Sequence, residues 1–498
     1  MEGAADLDDE PRFRIAGQRP FHARKVVDRQ LLNLPMALLL GRRKPIAAVL
    51  AQCSDETQGL KRSMGVWGLT ALGVGAIIGT GIFVLTGKAA ATSAGPGIVV
   101  SFVIAGIVST LAALCYAELA SSVPVSGSAY TYVYATLGEF VAWIVGWGLI
   151  LEYALGAATV AIGWSGYLSD FLSATFGLVI PKSLSTNPFE GGIINLPAAL
   201  IILIITALLI RGTQESDAVN KTIVAIKLCV VLFFIAIGLG HINPANWHPF
   251  APFGFSGIIK GAGLVFFAYI GFDAVSTSAE EVRNPARDLP RGILASLAIC
   301  TVLYIIVSAV LTGIVPYTQL NVPSPVSFSL IHIGLAWAGA IVALGAIAGL
   351  TTVLLVLLFG QSRVFYAMSR DGLLPPIFSK VHPVFRTPYV SSLLIGVVCA
   401  SVAAIGKLDV VADLVNIGTL AAFALVSLGV VVLRQRDPDL KRGFRVPGSP
   451  VVPILSAVAA IALIFNGLPA QTIEAYFIWL AIGLVVYFGY SRRRSLLR

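Results

Sequence analysis

Charged residues are scarce in this sequence. Asp, Glu, Lys and Arg make up 12% of its 498 residues, whereas 57% are hydrophobic, and the mean hydropathy of the chain is +0.87. A typical soluble domain carries about 25% charged residues, so this composition excludes a soluble globular protein. It predicts an all-α integral membrane protein with many spanning helices.

The residue patterns of metal, disulfide and enzyme chemistry are also missing. The five cysteines form no CxxC pair, and the five histidines show no HExxH spacing, although such patterns are the usual signs of structural zinc, disulfides and zinc enzymes. No nucleophile and base are predicted to face one another in the spans, and the charge rings or carbonyl filter of a channel are absent. We therefore expect no metal, no cofactor and no enzymatic activity.

Basic residues fall on one side of the predicted membrane. With a cytoplasmic N-terminus, the inner segments hold all but five of the 34 Lys and Arg. Because cytoplasmic loops carry the excess of Lys and Arg, we expect a multi-pass protein of the cytoplasmic (inner) membrane of the cell with both termini inside. The net charge of +9 then reflects topology and attraction to anionic lipid, and we expect no nucleic-acid partner. The five exceptions are Lys88, Lys182, Lys227, Lys260 and Lys407.

Apolar runs of about 20 residues, the length that crosses the hydrocarbon core, recur from residue 68 to residue 490. They predict about twelve transmembrane helices, the third of which is long enough to tilt or to extend beyond the bilayer. The predicted spans are 68–92, 98–121, 138–170, 193–211, 221–240, 257–279, 290–314, 336–362, 389–406, 410–433, 450–468 and 474–490.

The stretch GVGAIIGTGIFVLTG (73–87) places several glycines inside the first span. Its spacing and membrane context do not fit a dinucleotide fingerprint, and the residue after Lys88 does not fit a phosphate-binding P-loop. Two interpretations remain. The glycines Gly75 and Gly79 could allow close packing of helices, or the helix could be broken.

A broken helix would open at Gly79, Thr80 and Gly81, because glycine lowers helix propensity by about 1 kcal/mol relative to alanine. Unwound backbone inside a membrane is tolerated only where it lines a cavity or is buried in protein. Its free N–H groups would suit a carboxylate, and the carbonyl groups near Ala76 and Ile77 would suit an ammonium. Such a break offers partners for both ends of an α-amino acid.

The sixth span supplies a counterpart. The segment FFAYIGFDAVSTSAEE (266–281) is interrupted by Gly271 and followed by Asp273. Two interrupted helices five spans apart are typical of an inverted repeat, although Gly271 alone is as consistent with close packing. The predicted organisation is a disordered extension (1–35), a cytoplasmic amphipathic segment (36–67), repeat 1 (68–240), repeat 2 (257–433), spans 11 and 12 (450–490) and a cytoplasmic tail (491–498).

Ionisable residues inside spans are costly unless they face protein or water. Lys227 could extend to the cytoplasmic interface, or it could be an ammonium inside the bundle that releases a proton during a transport cycle. Glu152 is either a structural carboxyl or a ligand contact, and Asp273 is either a helix N-cap or a ligand contact. The acidic residues at span ends, interpreted mainly as interfacial charges or gate partners, are Glu118, Glu280 and Glu281.

These motifs make the chain similar to the amino acid-polyamine-organocation superfamily. Within it, the chain resembles the cationic amino acid transporter family in its twelve-span bacterial form. The resemblance covers roughly residues 40–490 and begins near Leu39. Since Met36 followed by ALLLGRRKP resembles a family N-terminus, we expect residues 1–35 to be an extension or a misassigned start. It rests on RRKPIAAVL (42–50), GVGAIIGTGIFVLTG (73–87), YAELASSVPVSGSAYTY (116–132), Lys227, FFAYIGFDAVSTSAEEVRNPARDLPRGI (266–293), GQSRVFYAMSRDGLLP (360–375) and FRVPGSPVVP (444–453).

The resemblance implies a LeuT-like fold, with two inverted five-helix repeats and broken helices 1 and 6. The substrate carboxylate would bind Gly79, Thr80 and Gly81. The substrate amine would bind backbone oxygens of Ile77, Phe267, Ala268 and Ile270. The residues that approach the substrate side chain would be Glu152 and Asp273, and the proton-coupling residue would be Lys227.

The functional expectation is a secondary active transporter that imports amino acids by H⁺ symport with alternating access. The alternative is an amino acid or polyamine exchanger that uses the same site without net proton movement. The aliphatic segment TTVLLVLLFG (351–360) in the eighth span could restrict long side chains such as arginine. The expected partners are an amino acid, protons and the lipid bilayer, and the sequence specifies neither an oligomer nor an accessory helix.

Overall fold

The computed structural model describes residues 43, 64–123, 128–212, 217–279 and 282–496. The regular structure in these ranges is helical, apart from two isolated β-bridges. The predicted extension, most of the predicted amphipathic segment, and Glu280 and Glu281 lie outside these ranges.

Helices of eight or more residues are numbered here in chain order. Helix α2 comprises residues 81–94 and is π-helical over Gly81–Leu85, α-helical over Thr86–Ala89 and π-helical over Ala90–Ala94. The other helices are α1 (Val66–Ile77), α3 (Ile98–Ser122), α4 (Ser128–Thr136), α5 (Glu139–Phe176), α6 (Leu196–Arg211), α7 (Asp217–Leu239), α8 (Gly254–Val265), α9 (Pro285–Ile314), α10 (Pro325–His332), α11 (Ala336–Arg370), α12 (Tyr389–Ile405), α13 (Leu408–Arg436), α14 (Val451–Gly467) and α15 (Ala470–Val486).

Many of these helices are apolar enough for a membrane, which makes the chain a multi-pass membrane protein. Within the described ranges, seven helical segments are long and apolar enough to cross a bilayer. Five further apolar segments are shorter, with 10–17 residues. The seven long segments are Gly81–Ser122, Glu139–Phe176, Thr222–Leu239, Pro285–Ile314, Ala336–Arg370, Leu408–Arg436 and Ala470–Arg494.

Several helices are longer than the apolar runs that predicted them. Helix α5 has 38 residues, or about 57 Å at 1.5 Å per residue, and so exceeds the ~30 Å hydrocarbon core. Helix α11 continues past the predicted end at residue 362 as far as Arg370. Helix α9 begins at Pro285 instead of residue 290, because proline is well tolerated in the first turn of a helix.

Glycines let α1 pack closely against its neighbours. A Cβ atom on Gly73 would lie 2.5 Å from Ser296 Oγ on α9, and one on Gly75 would overlap Val224 on α7. Helix α9 also packs along α3, while α5 packs along α11 and α13. Of the two glycines in the packing interpretation, Gly75 lies in such a close contact, whereas a Cβ on Gly79 would be 3.4 Å from its nearest neighbour.

Glu118 lies at the end of α3 and is fully buried. Arg434 donates to it from both Nε, at 2.8 Å, and a terminal nitrogen, at 2.5 Å. Arg442 Nε is 3.4 Å from the same carboxylate, and Val446 N donates to it at 2.7 Å. The carboxylate of Glu118 therefore holds the end of α13 and the segment between α13 and α14 against α3, and its interpretation as an interfacial charge or a gate partner stays a prediction.

The segment after α15 is also held against the helices. Ser491 Oγ donates to the carbonyl of Leu373 at 2.6 Å, and Ser495 Oγ donates to the Glu139 carboxylate at the start of α5. The backbone N–H of Leu496 donates to the carbonyl of Asp371 at 3.2 Å. Both serines are buried, so this tail is part of the folded structure.

Candidate functional site

The first helix is broken directly after the residues GVGAI (73–77). Helix α1 ends at Ile77, Ile78 has an extended backbone (φ −71°, ψ 102°), and Thr80 is already helical. The non-helical residues are therefore Ile78 and Gly79, slightly earlier than the predicted opening at residues 79–81. Thr80 Oγ1 is buried and has no hydrogen-bond partner among the described residues, which leaves a polar group available at the start of α2.

The second break lies between α8 and the short helix Ala274–Thr277. A 3₁₀ turn, Phe266–Tyr269, follows α8. Ile270 is then extended (φ −64°, ψ 135°), and Gly271 has a φ of +115°. A side chain at Gly271 would be strained by this φ, and its Cβ would lie 2.8 Å from the carbonyl oxygen of Ala76.

The two breaks touch each other through their backbones. A Cβ on Gly81 would overlap the Cα of Ala268, and Gly271 packs against the carbonyl of Ala76. Gly79 has more room, because its nearest neighbour, Val353 of α11, would lie 3.4 Å from an added Cβ. The residues predicted to bind the substrate carboxylate and amine therefore lie close together. The aliphatic side chain of Val353 on α11 lies beside them.

Tyr304 joins the two breaks from α9. Its hydroxyl lies 2.9 Å from the carbonyl oxygen of Ile77 and 2.9 Å from that of Ala268, and the side chain is fully buried. A hydroxyl has a single proton to donate, so at any moment one of the two carbonyls lacks this donor. Both carbonyls are predicted amine contacts, and a substrate ammonium could complete their hydrogen bonding.

Sequence reasoning did not identify Tyr304. It lies in a long apolar span with nothing in the local pattern to distinguish it. The aromatic rings of Phe102 and Tyr269 pack on it, with centroids 5.4 and 5.5 Å away. Only the tertiary fold places its hydroxyl between the two carbonyls.

The two predicted acidic residues lie near each other. Glu152 of α5 and Asp273 are 3% and 4% exposed, and their carboxyl groups interact electrostatically. Asp273 Oδ1 accepts a hydrogen bond from Gly271 N at 3.3 Å. Asp273 occupies the N-cap position of Ala274–Thr277, but its side chain does not cap that helix. The capping interpretation was wrong, because the carboxylate bonds back to the break.

Aromatic side chains surround this acidic pair. Tyr116 and Tyr153 interact with both carboxyl groups, and Tyr116 forms an edge contact with Phe272, with ring centroids 5.6 Å apart. Phe423 of α13 completes the aromatic cluster, 5.0 Å from Phe272. The site therefore combines backbone polar groups, two acids and large aromatic surfaces.

Lys227 of α7 lies beside α1 and α11. Its side chain is 1% exposed, and its Nζ donates to the carbonyl oxygen of Gly75 at 2.7 Å. Its methylene groups contact Gly349 of α11, where an added Cβ would lie 3.0 Å from Lys227 Cε. The described residues supply no carboxylate within ion-pair distance of it. The side chain therefore points into the bundle and does not extend to the membrane surface.

The chain is similar to known membrane proteins over most of its length. Residues 64–488 match the family model described as amino acid permease. The methylthioribose transporter of Bacillus subtilis is 51% identical over 460 residues, which is 92% of this chain and 99% of that protein. The branched-chain amino acid permease BcaP of Bacillus subtilis is 52% identical over 459 residues, 91% of this chain and 98% of the other.

Similarity extends to plant proteins. Cationic amino acid transporter 4, vacuolar, of Arabidopsis thaliana is 41% identical over 409 residues, which is 80% of this chain and 68% of that protein. These three relatives are named as transporters or permeases, and none is named as an enzyme.

Proposed function

Since the chain belongs to the amino acid permease family and is a transporter, not an enzyme, we propose that it imports amino acids into the cell across the cytoplasmic membrane. The contact between the two breaks carries this proposal. Gly81 and Ala268 are in backbone contact, and one hydroxyl spans the carbonyls of Ile77 and Ala268. Carbonyl groups at the end of α1 and N–H groups at the start of α2 suit the two ends of an α-amino acid.

The proposed fold has twelve spans, arranged as two inverted repeats of five followed by two further helices. The seven long and five shorter apolar segments support this count. The broken first and sixth spans contribute short segments because each is divided into pieces. Alternating access would then be movement of one group of helices around the fixed breaks. Both termini would be cytoplasmic.

Each predicted residue has a proposed role. The substrate carboxylate binds the backbone at Gly79 and Gly81 and the unpartnered hydroxyl of Thr80. The amine binds the carbonyls of Ile77 and Ala268, together with those of Phe267 and Ile270. The substrate side chain extends toward the region bounded by Glu152, Asp273 and the wall at Val353.

Lys227 supports coupling to protons. Its ammonium is buried beside the first break and hydrogen-bonded to α1, so loss of its proton would weaken this bond by removing the charge that strengthens it. A buried ammonium without a carboxylate partner is costly. We propose that proton transfer at Lys227 biases the opening of the cytoplasmic side, which gives H⁺ symport.

Aliphatic amino acids are the proposed substrates with the best fit. Val353 lies beside Gly79, and the wall that contains it is aliphatic. A relative at 52% identity is named a branched-chain amino acid permease. Glu152 and Asp273 favour a cationic side chain only if both remain ionised. Binding of arginine and lysine should therefore be compared with binding of aliphatic amino acids.

A thermal-unfolding panel tests the proposal. Purified protein is melted with each of the twenty amino acids and with common polyamines, at two pH values, because a ligand that binds the folded state raises its stability. We expect branched-chain L-amino acids to stabilise wild-type protein and to lose this effect in Gly79→Val.

The matched control is Gly68→Val, because an added Cβ at Gly68 would lie 3.9 Å from its nearest neighbour. It should keep the response. Stabilisation by no amino acid, with the protein folded, would contradict the proposed function.

A further inference from the structure

The carbonyl groups at the end of α8 are held by a buried asparagine of α13. Asn416 Nδ2 donates to the carbonyl oxygen of Gly263 at 2.9 Å and to that of Leu264 at 3.2 Å, and the side chain is fully buried. Carbonyls at the end of a helix need donors from outside its regular ladder. One amide carries two N–H groups, so Asn416 supplies one donor to each of these two carbonyls.

This contact repeats one at the first break. Helices α1 and α8 both have 12 residues, and Gly75 and Gly263 occupy the same position in them, two residues before the last helical residue. The carbonyl of Gly75 accepts from Lys227 of α7, as that of Gly263 accepts from Asn416 of α13. In the proposed inverted repeats, α7 and α13 are the fifth helices of repeat 1 and repeat 2. The two contacts are therefore equivalent by position.

Helix α13 contacts the second break with one face. Phe423 lies seven residues after Asn416, which is about two helical turns, so both side chains lie on the same side of α13. The ring of Phe423 contacts Phe266 in the 3₁₀ turn after α8, with ring centroids 5.7 Å apart. Ala268, whose carbonyl is proposed to bind the substrate amine, belongs to the same turn. Asn416 thus holds the backbone that leads directly into the amine site.

The amide oxygen of Asn416 adds nothing to this contact. Asn416 Oδ1 is buried and has no hydrogen-bond partner among the described residues, although such a group costs about 1–3 kcal/mol. An apolar residue would avoid this cost but would remove both donors. The two N–H groups, and hence the carbonyls they bind, explain why an asparagine occupies this position.

The contacts of Lys227 and Asn416 differ in their chemistry. An ammonium can lose its proton, whereas a side-chain amide does not titrate. Because a charged donor makes a stronger hydrogen bond than a neutral one, the bond to Gly75 depends on protonation and the bond to Gly263 does not. In the proposed orientation α1 lies on the cytoplasmic side of the substrate site and α8 on the outer side. A proton would therefore act on the cytoplasmic half alone.

We infer that Asn416 is the outer counterpart of Lys227, a positioning residue that fixes the end of α8 and thereby the carbonyls that receive the substrate amine. It acts through Gly263 and Leu264 and not by contact with the substrate. The outer half of the site is then fixed at every pH, while α1 responds to the proton. This role rests on the proposed amino acid transport and adds to it the residue that holds the second break.

A carboxylic acid in place of Asn416 would make this contact titratable. When protonated, the side chain of Asn416→Asp donates one O–H to the carbonyls, and when ionised it is an acceptor only and places a negative charge beside two carbonyl oxygens. Any effect of the titratable groups around this part of α13 is common to the wild type, so the variant is compared with wild-type protein at each pH. These groups are Asp413 on α13, Lys88 of α2, which interacts with Asp413, Glu152 of α5, which lies against α13, and the exposed Lys260 of α8.

The test is exchange of labelled for unlabelled L-leucine in proteoliposomes, with equal pH on both sides and a series of pH values from acidic to alkaline. Exchange needs no pH gradient, so it reports on the site without the proton coupling. For Asn416→Asp, we expect the ratio of its KM to the wild-type KM to rise about fivefold across the series, the order expected from loss of one hydrogen bond. The maximal rate should change less, because the remaining contacts of the breaks are intact.

The matched control is Asn466→Asp. Asn466 of α14 is exposed and donates to a carbonyl of its own helix, that of Ala462, at 2.8 Å. The same substitution there adds the same charge, and its KM ratio should not change with pH. Asn416→Ala removes both donors without adding a titratable group, so its KM should be raised by a similar factor at every pH. This variant keeps the test available if Asn416→Asp does not fold.

A second measurement needs no transport. In detergent without substrate, the Tm of Asn416→Asp should fall relative to the wild type as the pH rises, because ionisation removes the hydrogen bond to the end of α8. The contact is therefore still tested if wild-type protein exchanges no L-leucine, a result that would count against the proposed function and not against the contact.

Three results would overturn the inference. A KM ratio and a Tm difference that do not change with pH in Asn416→Asp would show that the amide does not hold α8. A loss of maximal rate at unchanged KM, in Asn416→Asp or Asn416→Ala, would make Asn416 a purely structural residue. An equal pH dependence in Asn466→Asp would assign the effect to the added charge.

Discussion

Lys227 Nζ donates a hydrogen bond to the carbonyl oxygen of Gly75 at 2.7 Å, two residues before the last helical residue of α1. The bond connects α7 to the helix that ends at the proposed substrate site. Changes in the protonation of Lys227 would therefore act directly on the position of α1. The proposed coupling needs no longer pathway, since a single hydrogen bond links the titratable Lys227 to α1.

Replacing Lys227 with methionine should abolish uptake driven by a pH gradient in proteoliposomes, because methionine keeps the volume but carries no proton. Exchange of labelled for unlabelled substrate should persist, since the contacts of the breaks are intact. Lys182→Met is the matched control, because Lys182 is exposed and should leave coupling unchanged. Undiminished gradient-driven uptake by Lys227→Met would show that another group carries the proton.

Alanine at Gly81 should be far more damaging than alanine at Gly79. The new methyl group at Gly81 would overlap the backbone of Ala268, whereas at Gly79 it would meet Val353 at ordinary contact distance. We expect Gly81→Ala to lose about 1–3 kcal/mol of stability together with substrate binding, and Gly79→Ala to lose less than about 1 kcal/mol. Melting curves of the two variants, recorded with and without substrate, give the loss of stability and of binding for each. Equal losses in the two variants would contradict the contact between Gly81 and the backbone of Ala268.

Tyr304→Phe should destabilise the substrate-free protein by about 1–3 kcal/mol, because two buried carbonyls lose their shared donor. A substrate ammonium would supply donors to the same carbonyls, so the rise in Tm on adding substrate should be larger than in wild-type protein. Tyr269→Phe serves as control, since its hydroxyl donates to Phe102 O. It should be destabilised without any change in the substrate response, and a parallel change in both variants would refute the role of Tyr304 at the site.

Glu118→Gln should cost about 3–5 kcal/mol, because it leaves the guanidinium groups of Arg434 and Arg442 without their buried anion. Glu190→Gln changes a carboxylate that is 40% exposed and 3.9 Å from Lys88, and it should cost less than about 1 kcal/mol. Denaturant titration in detergent measures the free energy of unfolding of both variants. Similar small losses would show that water replaces the carboxylate at Glu118.

The all-helical fold and the breaks in the first and sixth spans could be predicted from the sequence, because both follow from local properties of the chain. Hydropathy over about 20 residues marks apolar helices, and glycines mark where a helix is weakest. Gly271, for instance, was expected at a break and has the positive φ that only glycine adopts easily. Helix ends were less accurate, since α5 and α11 continue beyond their predicted ends at residues 170 and 362, to Phe176 and Arg370.

Contacts between distant segments could not be predicted in the same way. The hydroxyl of Tyr304 lies between two carbonyls that are 191 residues apart in the sequence, at Ile77 and Ala268. No periodicity in the sequence of either segment predicts that these two carbonyls lie next to each other. The partners of Glu118 could not be predicted for the same reason, because Arg434 at the end of α13 and Val446 after it lie more than 300 residues later in the sequence.

The buried tail after α15 matters for how this protein is handled in the laboratory. Affinity tags are often fused directly to a C-terminus, and crystallisation variants often remove the last residues. Here, deletion from Ser491 onward would break the hydrogen bonds to Leu373, Glu139 and Asp371 and expose the start of α5. A removable tag on a flexible spacer leaves these bonds in place, and the tail should be retained in any shortened version.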